Sequence, residues 1–241
     1  MAMRHRLIPW GSSGDARRPG VKLRRAARHV IFDLDGVLLD TEPLYTRATG
    51  TVAARFGKTY DWSVKGQCIG RGALEAARII VDALGLPLAP AELVRQRDAI
   101  LVELLAAAPA IPGAETFTRA LAGRGVPMAI ATSTESKLYA TKAAPHREWM
   151  SIFAAVVCGD DARVARSKPA PDIFLAAARD LGAEPGDCVV FEDSPFGVQA
   201  ALAAGMQVVA LPDPAMDRAR YAGADAILTG FADLSPDAFG L

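Results

Sequence analysis

The stretch His29-Val30-Ile31-Phe32-Asp33-Leu34-Asp35-Gly36-Val37-Leu38-Leu39-Asp40-Thr41-Glu42 runs from an apolar segment into two carboxylates and a glycine. A continuous apolar run bounded in this way marks a strand buried on both faces of a parallel sheet, and such sheets carry their chemistry just beyond the carboxyl ends of their strands. Side chains two apart on an extended chain share one direction. Asp33 and Asp35 can therefore converge on one metal and one reacting group while Leu34 turns into the core. Gly36 lets the backbone turn sharply after them. A calcium-binding loop would need an acid or amide at position 37 and glycine at 38, where Val37 and Leu38 stand, so that reading fails on spacing.

Downstream of this strand the pattern is helical. Thr41 can cap a helix through Glu42, Leu44 and Tyr45; Leu74, Ala77, Val81 and Leu84 recur at helical spacing before Gly85 and Pro87; and Pro90 suits the first position of a helix through Leu93, Ile100 and Leu104 that Pro109 and Pro112 end. Residues 47–111 are thus expected to form an all-helical insert. From Gly113 onward short apolar runs alternate with helical segments: Met128 to Ala131, Ala155 to Cys158, Cys188 to Phe191 and Gln207 to Leu211. Strands alternating with helices imply a doubly wound parallel α/β sheet, here made of residues 28–46 and 112–241.

The residues that follow each run form one constellation. Asp33 and Asp35 end the first, Thr132-Ser133-Thr134 the second, Gly159-Asp160-Asp161 and then Ser167-Lys168-Pro169 follow the third, and Glu192-Asp193-Ser194 end the fourth. Acids to hold a divalent cation, with a hydroxyl and an ammonium to neutralise phosphoryl oxygens, are what phosphoryl transfer requires. Taken singly each has a plainer reading. Thr132 or Ser133 could cap a helix near Glu135, Lys168 could be solvated, and Glu192-Asp193 could complement a helix N-terminus. Their appearance in order at four strand ends favours the joint site.

DLDG at 33–36, ATST at 131–134, SKPAPDIF at 167–174 and FEDS at 191–194 together resemble the four motifs of the haloacid dehalogenase superfamily, over nearly everything from Arg28 to Leu241. The resemblance implies a Rossmann-like core with a small helical cap. It implies Asp33 as nucleophile and Asp35 as general acid and base, with Thr132, Ser133 and Lys168 holding phosphate. Mg2+ would be held by Asp33, Asp35 (through its backbone carbonyl), Asp193 and Glu192. Dehalogenases of this superfamily carry a residue other than aspartate at position 35 and are disfavoured. LLDTE at 38–42, ALEAARII at 73–80, IPGAE at 111–115 and ALAAGMQVV at 201–209 look more narrowly like pseudouridine-5'-phosphatase and its glycerol-phosphate, sugar-phosphate and flavin mononucleotide phosphatase relatives. Phe196 departs from the asparagine usual there. Arg71, between cap elements, could reach a substrate's polar end.

The resemblance implies a phosphatase acting through an aspartyl phosphate on a small phosphorylated metabolite. A beta-phosphoglucomutase shares the motifs but carries histidine where Tyr45 stands. A non-catalytic phosphate binder would not need Asp35. A phosphonate-cleaving enzyme would need a cap lysine, for which only Lys58 and Lys65 offer themselves.

Composition agrees with a soluble enzyme. The chain of 241 residues is 51% hydrophobic and 22% charged, ordinary globular usage, and holds no apolar run of the roughly eighteen residues a membrane span needs. Cys68, Cys158 and Cys188 form no CxxC pair, which suits reduced thiols in a cytoplasmic protein; the sequence does not fix the oligomeric state, and a monomer is the expectation. The net charge of zero conceals eight basic residues against one acid in residues 1–28, leaving the rest at minus seven. Residues 1–27 read as a disordered basic tail or a start placed too far upstream. A targeting segment lacks its amphipathic stripe, and no aromatic ladder suggests nucleic acid.

Overall fold

The computed structural model of the protein describes residues 23–69, 71–231 and 234–241. In chain order the elements are β1 (His29–Phe32), α1 (Glu42–Ala54), α2 (Trp62–Cys68), α3 (Ala73–Leu84), α4 (Pro90–Leu105), α5 (Ala114–Gly123), β2 (Met128–Ala131), α6 (Ser136–Ala143), α7 (Arg147–Met150), β3 (Ala155–Val157), α8 (Asp172–Asp180), β4 (Cys188–Glu192), α9 (Pro195–Ala203), β5 (Gln207–Ala210) and β6 (Ala226–Ile227). The strands form one sheet in the order β3-β2-β1-β4-β5-β6, every pairing parallel. Apart from the two-residue β6, each strand lies within one residue of an apolar run in the sequence.

Strand parity sorts the core into two unlike layers. Val30 and Phe32 face an aromatic layer with Phe117, Trp149, Phe153, Phe191, Phe231 and Phe239, whereas Ile31, Val190 and Val208 face alanines of α8 and α9. The parallel register Phe32↔Phe191 stacks those two rings with centroids 5.0 Å apart. Small side chains on α8 and α9 let these helices lie close over the strand ends, where their preceding loops deliver Lys168 and Asp193.

Helices α1 to α4 make a separate bundle with its own core of Val52, Val64, Ala77, Ile80, Leu86 and Leu93. The expected helical insert is therefore present, beginning with α1 at Glu42. Its two connections to the sheet run side by side: Asp40 N–H donates to the Pro109 carbonyl at 2.8 Å and Ile111 N–H to the Leu38 carbonyl at 2.8 Å. Leu23 to Ala27, which the sequence places in the tail, instead line the sheet's lower edge. Arg24 pairs with Asp225, the Arg25 N–H donates to Gln207 Oε1 at 2.9 Å, and Ala27 is buried. The basic residues Arg4, Arg6, Arg17, Arg18 and Lys22 lie outside the described residues.

Candidate active site

The last residue of β1 passes the chain directly into Asp33, whose N–H donates to the Phe191 carbonyl at 2.9 Å and so continues the ladder with β4. Gly36, at φ +78°, makes the turn that follows; a Cβ there would stand 2.4 Å from Asp193 Oδ2. The glycine is thus needed both for its left-handed backbone and for the close approach of the fourth strand's acid.

Asp33 is buried. Its Oδ1 accepts from Lys168 Nζ at 2.6 Å, and the same ammonium donates to Glu192 Oε1 at 2.6 Å. Burial, with the nearby charges of Glu192 and Asp35, outweighs Lys168 and pushes Asp33 up to about 7. Glu192 is committed: its second oxygen accepts from Ser194 N–H at 2.7 Å, and it presses against Gly197, where a Cβ would stand 1.7 Å from Oε1. It thus lies beside the site lysine and against the first turn of α9. Asp193 has no donor to its carboxylate among the described residues; burial and the charges of Glu192 and Asp33 raise it well above the usual range. Asp33, Glu192 and Asp193 each bring an oxygen within 4.8 Å of the others. Two buried carboxylates on one ammonium, with a third, half-buried and without a donor beside them, suit a hard divalent cation.

Asp35 has a different surrounding. Oδ1 accepts from Thr41 Oγ1 at 2.5 Å and from Lys142 Nζ at 2.6 Å, and Oδ2 accepts from Thr134 Oγ1 at 2.7 Å. Burial works against its charge, but Lys142 and the three hydrogen bonds hold it below the ordinary carboxylate range. Its side chain is thus turned to these donors, and only its backbone carbonyl remains for a cation. Thr41 precedes α1 without capping it; its hydroxyl is spent on Asp35.

Thr132 is buried, its Oγ1 accepting from Thr134 N–H at 3.1 Å. Ser133 is exposed and lines the cavity, and its carbonyl lies against Gly159, where a Cβ would stand 2.4 Å away. Neither caps the next helix: α6 begins at Ser136, whose N–H donates to Asp160 Oδ1 at 2.9 Å.

These residues open into a cavity of about 620 Å³ between sheet and cap. On the cap side it is lined by Tyr45, Tyr60, Leu74, Ile80, Arg97 and Asp98, among others. Arg71 also lines it, but its guanidinium donates to the Gln67 carbonyl, pairs with Glu75 and lies 5.0 Å from the Phe196 ring centroid. The residue that departs from the usual asparagine therefore makes a contact between core and cap. Lys65 pairs with Glu42 at 3.3 Å; Lys58 is exposed and away from the cavity.

Lys142 and Arg97 are site residues that sequence reasoning missed, and Thr134, placed at the end of the second run, was given no role there. Lys142 follows Leu138 and Tyr139 at inward helical spacing on α6, a charged residue on an apolar face, and that was its only signal.

A parallel sheet with two aspartates just beyond its first strand and a helical bundle inserted after them defines an α/β enzyme fold with an acidic site beneath a helical cap. A model of the haloacid dehalogenase-like hydrolase family matches residues 27–205, and the chain belongs to that family. It is 43% identical over 223 residues to (DL)-glycerol-3-phosphatase 1, mitochondrial, of Arabidopsis thaliana, covering 90% of this chain and 75% of that one. It is 44% identical over 223 residues to a probable pseudouridine-5'-phosphatase of Drosophila melanogaster, covering 91% and 96%. Among solved structures, CbbY of Rhodobacter sphaeroides in complex with phosphate aligns with TM-score 0.75 at 28% identity over 89% of this chain and 100% of that one. The chain is an enzyme of the hydrolase class.

Proposed function

We propose that the protein is a magnesium-dependent phosphatase of small phosphorylated metabolites that works through an aspartyl-phosphate intermediate. The observation that carries this reading is the division of labour between two aspartates two residues apart. Asp33 shares a lysine with the acid cluster, and Asp35 is held as a carboxylate by donors of its own. An Asp33 oxygen attacks phosphorus as the bond to the leaving oxygen breaks, and Asp35, a carboxylate at rest, takes up the proton carried by the substrate's monoanion and passes it to that oxygen. Water then attacks the aspartyl phosphate, Asp35 takes its proton, orthophosphate leaves and Asp33 is regenerated. Lys168 and the loop of Thr132 and Ser133 neutralise the phosphoryl oxygens. Asp33, Asp193 and the backbone carbonyl of Asp35 would hold Mg2+, which when bound counters the charge of phosphate beside three carboxylates.

The cap half of the cavity supports a substrate whose far end is uncharged. Lys65 is paired with Glu42, Arg71 with Glu75, and Arg97 with Asp98 at 2.7 Å, so each of these cations already has an acid. A second phosphate would have to displace one. A sugar, polyol or nucleoside monophosphate fits better, in keeping with relatives named for glycerol 3-phosphate and pseudouridine 5'-phosphate. The mutase alternative gains nothing from Tyr45: burial, and then the charge of Asp35, hold its phenol above its ordinary range, and it is engaged with Lys142 at 3.2 Å. We read the protein as a cytoplasmic monomer with a cap over residues 47–111. No described helix is long and apolar enough to cross a membrane.

Orthophosphate release with Mg2+ from a panel of glycerol, sugar and nucleoside monophosphates and one sugar bisphosphate tests the reading. Turnover of a monophosphate at least tenfold more efficient than that of the bisphosphate is expected. Supplying beta-glucose 1-phosphate with catalytic 1,6-bisphosphate and finding glucose 6-phosphate ahead of orthophosphate by phosphorus NMR would overturn it.

A further inference from the structure

Two buried lysines stand in the site, and the family motifs account for one of them. Lys168 serves Asp33 at 2.6 Å; Lys142, from α6, stands at the same 2.6 Å from Asp35. Lys142 is fully buried, and its ammonium has three acceptors for its three protons: Asp35 Oδ1, Thr134 Oγ1 at 2.9 Å and Tyr45 Oη at 3.2 Å. A methionine or leucine would satisfy the packing of α6 without the desolvation that a buried ammonium entails, so packing alone does not explain a charge at this position. The ion pair also closes a ring, because the Thr134 hydroxyl, which accepts a hydrogen bond from Lys142, donates one to the second oxygen of Asp35. Both oxygens of one carboxylate are thereby fixed by groups from the β1–α1 loop, the β2–α6 loop and α6, with a further link to the cap through Tyr45 on α1.

We propose that Lys142 is the positioning residue for Asp35: it sets the orientation of the carboxylate that exchanges protons with the leaving group and with water, and ties that orientation to the first cap helix. The proposal rests on the assignment of proton transfer to Asp35 in the phosphatase reading. Lys142 is not among the residues that line the cavity, and its hydrogen bonds go to Asp35, Tyr45 and Thr134 and not to Asp33, Glu192 or Asp193. Its removal should disturb the proton-transfer step and leave phosphate capture in place.

The experiment compares Lys142→Met, Lys142→Arg, Asp35→Asn and the Asp35→Asn/Lys142→Met double variant on glycerol 3-phosphate, a poor leaving group, and 2,4-dinitrophenyl phosphate, a good one, with Mg2+ present. Lys142→Met should lower kcat on glycerol 3-phosphate by about a hundredfold, with KM changed less than about twofold and the dinitrophenyl ester slowed less than about threefold. In the Asp35→Asn background the same substitution should cost less than about a further twofold, because both changes remove one function. Lys142→Arg keeps the cation but not the three-way geometry, so it should fall between wild type and Lys142→Met on glycerol 3-phosphate alone. This variant carries the test if Lys142→Met loses its cooperative thermal transition. Equal losses on both esters, losses that multiply in the double variant, or wild-type rates would overturn the proposal. An Asp35→Asn variant that itself slows both esters equally would instead overturn the role of Asp35, and the proposal with it. Leaving-group dependence in Asp35→Asn without it in the Lys142 variants would remove the proposal and leave the phosphatase reading standing.

Discussion

The two halves of the cavity handle charge in opposite ways. On the sheet side, Asp33, Glu192 and Asp193 crowd their oxygens within 4.8 Å of one another, and Lys168 balances them only in part. On the cap side each of Lys65, Arg71 and Arg97 has a carboxylate beside it. An unbalanced half attracts a cation and through it a phosphoryl group. A balanced half selects by shape and hydrogen bonding, since exchanging one ion pair for another yields little net energy. On the proposed reading, the chemistry would reside in the part of the chain that is strung along strand ends, and the choice of substrate in the part that is not.

The sheet side is most severely tested by Asp33→Asn, which removes nucleophile and charge together. Orthophosphate release should fall at least a thousandfold with the fold intact by circular dichroism; retention of more than a tenth of the rate, a loss under about 1.4 kcal/mol, would break the assignment of the nucleophile. Next comes Asp193→Asn, which should raise the Mg2+ concentration for half-maximal activity at least tenfold, read in a titration after chelation of the purified enzyme. An unchanged Mg2+ dependence would remove Asp193 from the cation site.

The imbalance also has a signature without substrate. Asp33 is raised from its ordinary 3.8 to about 7, so its contribution to stability is fully present below pH 4 and is lost as pH rises through 7. The melting temperature of metal-free protein should therefore fall between pH 5 and pH 8, and added Mg2+ should restore more at pH 8 than at pH 5. Equal stabilisation at both values would show that the acids are not strained by each other.

The cap side should respond more mildly. Arg97→Met should raise KM for the best monophosphate by about tenfold, with kcat on 4-nitrophenyl phosphate within about twofold, as expected for a contact to the far end of the substrate. Arg71→Ala, whose guanidinium is already held by Gln67, Glu75 and Phe196, should change either constant by less than about threefold. If the order of these two is reversed, Arg71 is the reader and Arg97 a packing residue.

The sequence made the sheet side legible and left most of the cap side dark, for a physical reason. Strands buried on both faces must be continuous apolar runs, so their ends, and hence Asp33, Thr132, Lys168 and Asp193, can be found by counting. β6 escaped because Ala226–Ile227 is too short to form a run. Lys142 escaped because its partner is 107 residues away and nothing local to α6 demands one. Thr41 was visible as a polar residue before a helix, where capping is the commoner use; only the turn at Gly36 brings Asp35 within its reach. Arg97 sits among Arg95, Gln96 and Asp98 on α4, which reads as a solvated face until the bundle folds that edge over the cavity.

The side-by-side crossings at Asp40–Pro109 and Leu38–Ile111 bear on how the bundle can move. A body attached through two neighbouring chain segments, themselves joined by hydrogen bonds, swings most readily about the line through them. Tyr45 lies one turn beyond that pivot, so a given swing displaces it less than residues farther along the bundle. On the proposed reading, a mouth that opened this way would admit a metabolite while the tyrosine beside Lys142 scarcely shifted, and the groups around Asp35 would stay assembled. The same narrow attachment makes the bundle a separable cassette: its helices can be remodelled for a new metabolite with only two short crossings to preserve.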